Sequence, residues 1–171
     1  NFTSAQVGKL FRAAKVPVIY KSNGDIREIN LFLNHKPEFI DIDIKKINLI
    51  KEIHKLSPKT KIIISYHNFE KTPLNKDLEA QIKKMFDFGA DVAKIAVFAE
   101  KPEDSIRVLS LLEKFNLQNK KVIFLCMGEH GKITRMAGHL FGNYLTYAPL
   151  DAKDKTADGQ ITLKELKCLL K

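Results

Sequence analysis

Tryptophan is absent from this sequence of 171 residues, cysteine occurs only twice, and no long hydrophobic run is present. Cys126 and Cys168 lie far apart and form no Cys-x-x-Cys pair, which is typical of reduced thiols in a cytoplasmic protein rather than of a disulfide framework. No apolar run approaches the roughly 20 residues that a membrane-spanning helix needs, and the first residues do not have the pattern of a signal peptide. We therefore expect a cytoplasmic protein with no membrane partner.

The formal net charge of +9 raises the question of a nucleic-acid partner. Most lysines, however, lie singly or in pairs with carboxylates not far away, and the phenylalanines lie mostly in apolar contexts. This pattern is typical of a solvated basic surface. We expect no nucleic-acid partner and a mild attraction for an anionic substrate.

The sequence does contain a regular alternation of short apolar runs and segments with helical spacing. The apolar runs predict strands at 16–20, 39–44, 61–66, 92–98, 121–126 and 144–148. Helical spacing predicts helices between them, for example after Pro102, where apolar residues recur at Ile106, Leu109, Leu112 and Phe115. This alternation predicts an α/β fold with a parallel sheet, and a hydrophobic fraction of 44% suits a single domain over residues 1–171. The spacing of the strand starts is close to that of a (β/α)8 TIM barrel.

The predicted strands are fewer than the eight of that barrel, which typically needs about 250 residues. Near the start of the sequence, Thr3-Ser4-Ala5-Gln6 is a capping-box pattern that predicts a helix with no strand before it. We therefore expect a barrel without its first two strands, in which strands three to eight are present. Either the sequence is part of a longer protein, or the protein is a shortened or open relative of the barrel.

Lys94 lies in the middle of the continuously apolar run 92–98, which is typical of a strand buried on both faces. Burial disfavours the charged ammonium, so we expect a fraction of neutral amine, a nucleophile that forms Schiff bases with carbonyl compounds. For a single lysine, a side chain that reaches past the strand end or pairs with a carboxylate is the more common arrangement. Both interpretations stay open at this point.

His67 and Arg135 follow two other predicted strands. Histidine can act as general base and general acid because its ordinary pKa is near 6.5. Arginine can hold a carboxylate through two parallel hydrogen bonds. Because the carboxyl ends of parallel strands, about 4.8 Å apart, build the active site of such barrels, His67 and Lys94 can meet. A histidine that only bonds its own loop, and a surface ion pair of Arg135, are the alternatives.

The polar segment 153–160 follows the last predicted strand and is either an ordinary connection or a lid that excludes water. His130 and His139 have no partner at metal-ligand spacing, so we expect no metal site.

Four segments carry a resemblance to a known enzyme family: 64–73 (ISYHNFEKTP), 89–97 (GADVAKIAV), 127–142 (which contains GKITRMAG) and 158–162 (DGQIT). In order and spacing they resemble the histidine, lysine, arginine and closing motifs of type I 3-dehydroquinate dehydratase, and the resemblance covers essentially all 171 residues. It implies a (β/α)8 barrel that dehydrates 3-dehydroquinate to 3-dehydroshikimate, the third step of the shikimate pathway of aromatic amino acid biosynthesis. It implies no metal or organic cofactor and, by analogy, a homodimer.

The resemblance also implies roles for individual residues. Lys94 forms the Schiff base with the ketone, and His67 transfers the protons. Arg135 binds the substrate carboxylate, while Thr156 and Gln160 contact the substrate from the lid.

Several positions depart from the family pattern. Lys21 stands in place of a substrate-binding arginine and loses its planar fork. Asp25 and Asp43 stand in place of glutamates and are expected to support the site, Asp25 by holding His67. Met127, in the arginine motif, is also expected to support the site. The Glu-x-Arg motif of the family's second strand has no counterpart in the sequence.

Two other functions fit the same residues. The missing strands and the departures from the family pattern favour a catalytically silent barrel domain with a binding or structural role, but this alternative is opposed by four intact residues, Lys94, His67, Arg135 and Gln160. A Schiff-base aldolase would also use a buried lysine, although the histidine and lid motifs argue against it. We expect enzymatic activity from the full-length protein, and we do not expect it from these 171 residues alone.

Overall fold

The computed structural model describes residues 2–170. Residues 1 and 171, which the predicted domain includes, lie outside the described residues. The strands are β1 (Ile19–Lys21), β2 (Phe39–Asp43), β3 (Lys61–Asn68), β4 (Val92–Phe98) and β5 (Val122–Met127). The helices are α1 (Ser4–Ala13), α2 (Ile26–Leu33), α3 (Ile50–Leu56), α4 (Asn75–Asp87), α5 (Pro102–Leu117), α6 (Lys132–Ala137) and α7 (Leu163–Leu169). Short 3-10 helices cover Ile44–Leu49, Glu129–Gly131, Gly138–Phe141 and Ala152–Asp154.

The chain divides into two compact units. The first unit is Asn1–Ser65 with Lys84–Val92, and the second unit is Tyr66–Lys83 with Ala93–Lys171. Strand β3 and helix α4 each contribute residues to both units. A single domain over residues 1–171 stays a prediction.

In the first unit, β1, β2 and the start of β3 pair in parallel and in chain order, with Phe39 beside Ile19 and Lys61 beside Phe39. Apart from Asp41, the buried positions of β1 and β2 are β-branched or aromatic, which favours strand structure, and each of these two strands ends in a polar residue. The core of this unit consists mainly of isoleucines, including Ile29, Ile40, Ile42, Ile53, Ile62 and Ile64. The predicted helix near the start begins at the predicted capping box, in which Thr3 and Gln6 bond each other's backbone.

In the second unit, β4 and β5 pair in parallel from Ala93 beside Val122 to Phe98 beside Met127. Nearly every residue of both strands is buried, as the continuous apolar runs predicted. Helix α5 buries Val108, Leu109, Leu112 and Phe115, whereas Ile106 is 62% exposed. The predicted apolar face of this helix was therefore wrong at Ile106, because the buried stripe runs back from Leu109 to Ser105 instead.

The predicted strand 144–148 is not a regular strand. The side-chain amide of Asn143 bonds both the backbone N–H (3.0 Å) and the backbone carbonyl (3.2 Å) of Phe124, on β5. The backbone N–H of Tyr144 then donates to the Val122 carbonyl over 3.0 Å. An asparagine side chain thus takes positions that a sixth strand's backbone would occupy, and the segment follows β5 without a strand ladder. Apart from this segment, the predicted alternation of strands and helices is confirmed.

No helix of residues 2–170 combines the length and the apolar character that crossing a bilayer requires.

Candidate active site

A cavity of about 200 Å³ lies in the second unit. Six of the predicted site residues line it: His67, Lys94, Met127, Arg135, Thr156 and Gln160. The other described lining residues are Phe69, Ala96, Leu125, Tyr147 and Ala157. No aspartate or glutamate is among the described lining residues, so the charged groups that face the cavity are cationic or can become so.

Lys94 is the third residue of β4 and is 8% exposed. Its burial, predicted from the apolar run, is confirmed. The ammonium nitrogen Nζ lies 4.3 Å from the centroid of the Tyr147 ring, a cation–π distance. Its neighbours in β4 from Val92 to Val97 are buried as well, and Lys94 lines the cavity.

His67 is the penultimate residue of β3, which extends two residues further than predicted. The imidazole is half-buried and stacks on Phe69, with ring centroids 6.1 Å apart. Immediately afterwards, the Asn68 side-chain oxygen accepts from the backbone N–H groups of Glu70 and Lys71, and this turn ends the strand. The histidine is therefore held at the carboxyl end of a strand, where a barrel of this class places its chemistry.

Arg135, on α6, is 4% exposed. Its Nε and Nη1 are buried and have no hydrogen-bond partner among residues 2–170. Burial lowers the pKa of the guanidinium, and the neighbouring Cys126 acts in the opposite direction. Because arginine remains a cation in proteins, these buried donors favour an anion from outside the described chain.

Close packing of α6 against β5 sets the position of Arg135. The Thr134 hydroxyl donates to the Gly131 carbonyl and accepts from the backbone N–H of Cys126. A Cβ at Gly131 would lie 2.5 Å from the Cys126 backbone, so only glycine permits this approach. Burial raises the pKa of Cys126 to about 11, so this thiol is an inert part of the packing.

The segment 153–160, predicted as a connection or a lid, is held by hydrogen bonds between its own residues. The Gln160 side-chain oxygen accepts from the backbone N–H of Thr156 over 2.7 Å and from that of Ala157 over 3.3 Å. The Asp158 carbonyl accepts from the backbone N–H of Gly128. Gly159, with φ +76°, has no room for a Cβ beside the Gly128 carbonyl. The segment 156–160 therefore rests on the loop that follows β5, with Thr156 and Gln160 on the cavity.

The other three predicted site residues belong to the first unit and are not among the described lining residues. Nζ of Lys21 donates to Oδ1 of Asp41 and to Oγ of Ser65, both over 2.8 Å. The Asp43 carboxylate accepts from the backbone N–H of Lys45 and caps a 3-10 helix.

Asp25 has a structural contact of the same kind. It caps α2 by accepting from the backbone N–H of Arg27, and the hydrogen bond from the Arg27 side chain lowers the pKa of this carboxyl.

The sequence did not predict the partners of Lys21 and Lys94, which are Asp41 and Tyr147. Asp41 is 1% exposed inside β2, and a carboxylate within the apolar run 39–44 was the signal that could have identified it. Tyr147 lies in the predicted strand 144–148, and its contact with Lys94 has no local sequence signal.

The family model for type I 3-dehydroquinase matches residues 3–171. The chain is 39% identical over 151 residues to a 3-dehydroquinate dehydratase of Methanococcus maripaludis, covering 86% of this chain and 67% of that protein. It is 40% identical over 154 residues to the enzyme of the same name from Methanocaldococcus jannaschii, with the same coverage of 86% and 67%. The chain thus spans about two thirds of the length of these curated relatives.

Solved structures give the same result. The 3-dehydroquinate dehydratase of Geobacillus kaustophilus superposes with a TM-score of 0.87 at 25% identity, covering 97% of this chain and 71% of that one. The enzyme of Aquifex aeolicus superposes with a TM-score of 0.82 at 27% identity, covering 99% and 81%. The prediction of an α/β fold that forms part of a (β/α)8 barrel is confirmed. The chain belongs to the type I 3-dehydroquinase family of lyases.

Proposed function

We propose that the protein dehydrates 3-dehydroquinate to 3-dehydroshikimate through a Schiff base on Lys94, as the third step of the shikimate pathway. One observation carries this proposal: a buried lysine lines the same small cavity as a histidine and an arginine with unpaired donors. An amine nucleophile, a proton-transfer group and an anion site are the three elements that dehydration of an anionic hydroxy-ketone requires.

The first stage is imine formation. The lone pair of the neutral Lys94 amine attacks the ketone carbon, and the carbonyl oxygen leaves as water after protonation. The product is an iminium, in which the lysine nitrogen is bonded to the former ketone carbon and carries a positive charge. His67 donates and accepts the protons of this exchange.

The second stage is elimination. His67 removes a proton from the carbon next to the iminium, and the electron pair of that C–H bond moves toward nitrogen to give an enamine. The enamine then expels the hydroxyl group one carbon further on, which leaves as water with the proton that His67 returns. Water hydrolyses the resulting iminium, releasing the product and the Lys94 amine, so one water is lost overall.

The remaining cavity residues bind and enclose the substrate. Arg135 binds the carboxylate, because its buried donors gain the partner that they lack. Thr156 and Gln160 contact carboxylate and hydroxyl groups from the lid and exclude water. Met127 contributes an apolar wall. The family roles of Lys21, Asp25 and Asp43 stay predictions, as do the absence of a cofactor, the homodimer and the cytoplasmic location.

Borohydride trapping tests the Schiff base. Incubation of the full-length protein with 3-dehydroquinate and borohydride should give a mass adduct on the peptide that contains Lys94, since hydride reduces the iminium to a stable amine. In Lys94→Ala the adduct should vanish and kcat/KM should fall by about 10⁴-fold or more.

Lys121→Ala is the matched control, because Lys121 is an exposed lysine that also lies over a tyrosine ring, 5.5 Å from the Tyr144 centroid. It should keep both the adduct and the activity. A folded full-length protein without an adduct would contradict the proposal and favour a silent binding domain. Trapping by an aldehyde or keto-acid substrate instead would favour the aldolase.

A further inference from the structure

The ring of Tyr147 lies against the nitrogen that reacts. We propose that the face of this ring stabilises the positive charge that the Lys94 nitrogen carries in the iminium, a role that rests on the function proposed above. Nζ is 4.3 Å from the ring centroid, inside the roughly 6 Å within which the negative face of an aromatic ring attracts a cation. The Tyr147 side chain lines the same cavity as His67 and Arg135.

The charge on the lysine nitrogen changes several times during the reaction. It is neutral in the attacking amine, positive in the first iminium, neutral in the enamine and positive again before hydrolysis. A ring that favours the cation therefore stabilises the iminium relative to the neutral species on either side of it. The proton is removed only from the iminium, so the ring acts by raising the fraction of bound substrate that is present as the iminium.

A ring suits this task better than a carboxylate. A carboxylate beside Nζ would form a strong charged hydrogen bond with the ammonium of the free enzyme and would oppose release of its lone pair. An aromatic face attracts the cation without accepting such a bond, and an aromatic environment keeps the site dry.

Hydrogen bonds fix the chain on both sides of Tyr147. Before Tyr147, Asn143 is bonded to Phe124 through its side-chain amide. After it, the Pro149 carbonyl accepts from the backbone N–H of Leu163 at the start of α7, over 2.8 Å. Tyr147 therefore lies between two hydrogen-bonded points of the chain.

Ring substitution tests the proposal in the full-length protein. Tyr147→Phe should keep kcat within about twofold, whereas Tyr147→Leu should lower kcat by about tenfold with KM nearly unchanged. The fraction of enzyme trapped by borohydride during turnover should fall about threefold or more in Tyr147→Leu. Replacing Tyr147 with phenylalanines bearing one, two and three fluorines keeps the ring's shape and weakens its negative face, so kcat should fall stepwise along the series.

Tyr144→Leu is the matched control, because it removes a ring of the same segment that lies over Lys121, outside the described cavity lining. It should leave kcat unchanged. A flat fluorine series, or a folded Tyr147→Leu variant with normal kcat, would overturn the role of the ring. If Tyr147→Leu fails to fold, the fluorine series decides alone. If the unaltered protein gives no Lys94 adduct with 3-dehydroquinate, the proposed function itself is wrong. If the adduct forms but kcat does not change along the fluorine series, only the proposed role of the Tyr147 ring is wrong.

Discussion

Lys21 and Arg135 were both predicted to bind substrate, and the structure gives them opposite surroundings. The Lys21 ammonium reaches the buried Asp41 carboxylate and the Ser65 hydroxyl, each over 2.8 Å. Two nitrogens of the Arg135 guanidinium are buried with no hydrogen-bond partner in the described chain. The first cation is compensated by its own fold, whereas the second needs an anion from elsewhere.

This difference suggests a test that separates a charge that stabilises the fold from a charge that binds a ligand. An unpaired buried cation lowers the stability of the folded protein, and a ligand anion recovers that free energy when it binds. A paired cation stabilises its partner, and its charge and donors are already used, so it binds a further ligand only weakly. We therefore expect Arg135 to control activity and Lys21 to control stability.

Truncating the two cations should have the largest and most unequal effect on catalysis. Arg135→Met should lower kcat/KM by about 100-fold or more, mostly through KM, because the substrate carboxylate loses its charged partner. Lys21→Met should lower it by about tenfold at most. Steady-state kinetics with 3-dehydroquinate on the full-length variants measures both values, and equal losses would remove the distinction.

The same two variants should change stability in the reverse order. Lys21→Met removes the ammonium from the buried Asp41 carboxylate and should lower the free energy of unfolding by about 1–3 kcal/mol, less than for a fully buried pair because half of the Lys21 side chain is exposed. Arg135→Met replaces unpaired donors with an apolar side chain and should be neutral or stabilising. Urea unfolding checks both, and a large loss in Arg135→Met would show that the guanidinium has a structural partner after all.

A smaller effect on stability is expected from an ion pair of the second unit, Asp104 with Arg107. Burial raises the pKa of Asp104, but hydrogen bonds from Arg107 and from the backbone N–H groups of Lys101 and Glu100 outweigh it, so the pKa is lowered. A carboxyl whose folded pKa is lowered stabilises the protein above its unfolded pKa and loses that contribution as pH falls through the folded pKa. Asp104→Asn should therefore cost about 1–2 kcal/mol at pH 7.

The loss of stability in Asp104→Asn should become smaller as the pH falls below 3.8, the ordinary pKa of an aspartate. The exposed Asp151, whose side chain makes no capping bond, supplies the control Asp151→Asn. Unfolding curves at several pH values measure the difference. A cost that is independent of pH would mean that Asp104 acts by packing rather than by charge.

Local patterns predicted most of the secondary structure. The apolar run 92–98 coincides with β4, and the capping pattern at Thr3 starts α1 as expected. Where prediction failed, contacts between distant residues decided the outcome. Ile106 has helical spacing, yet α5 turns a different face to its unit, and Asn143 replaces strand pairing after β5 with side-chain hydrogen bonds.

The sequence by itself determined that Lys94 lies in a continuous apolar run, which leaves a strand no solvated face, but it left open whether the side chain reaches past the strand end. It also determined the alternation of strands and helices, because hydrophobic periodicity is a local property of the chain. Only the tertiary structure decided that Lys21 meets Asp41, that Nε and Nη1 of Arg135 have no hydrogen-bond partner within residues 2–170, and that the Tyr147 ring lies against the Lys94 nitrogen. These contacts join residues far apart in the chain, and strand register and loop geometry fix them in a way that no local window of sequence contains.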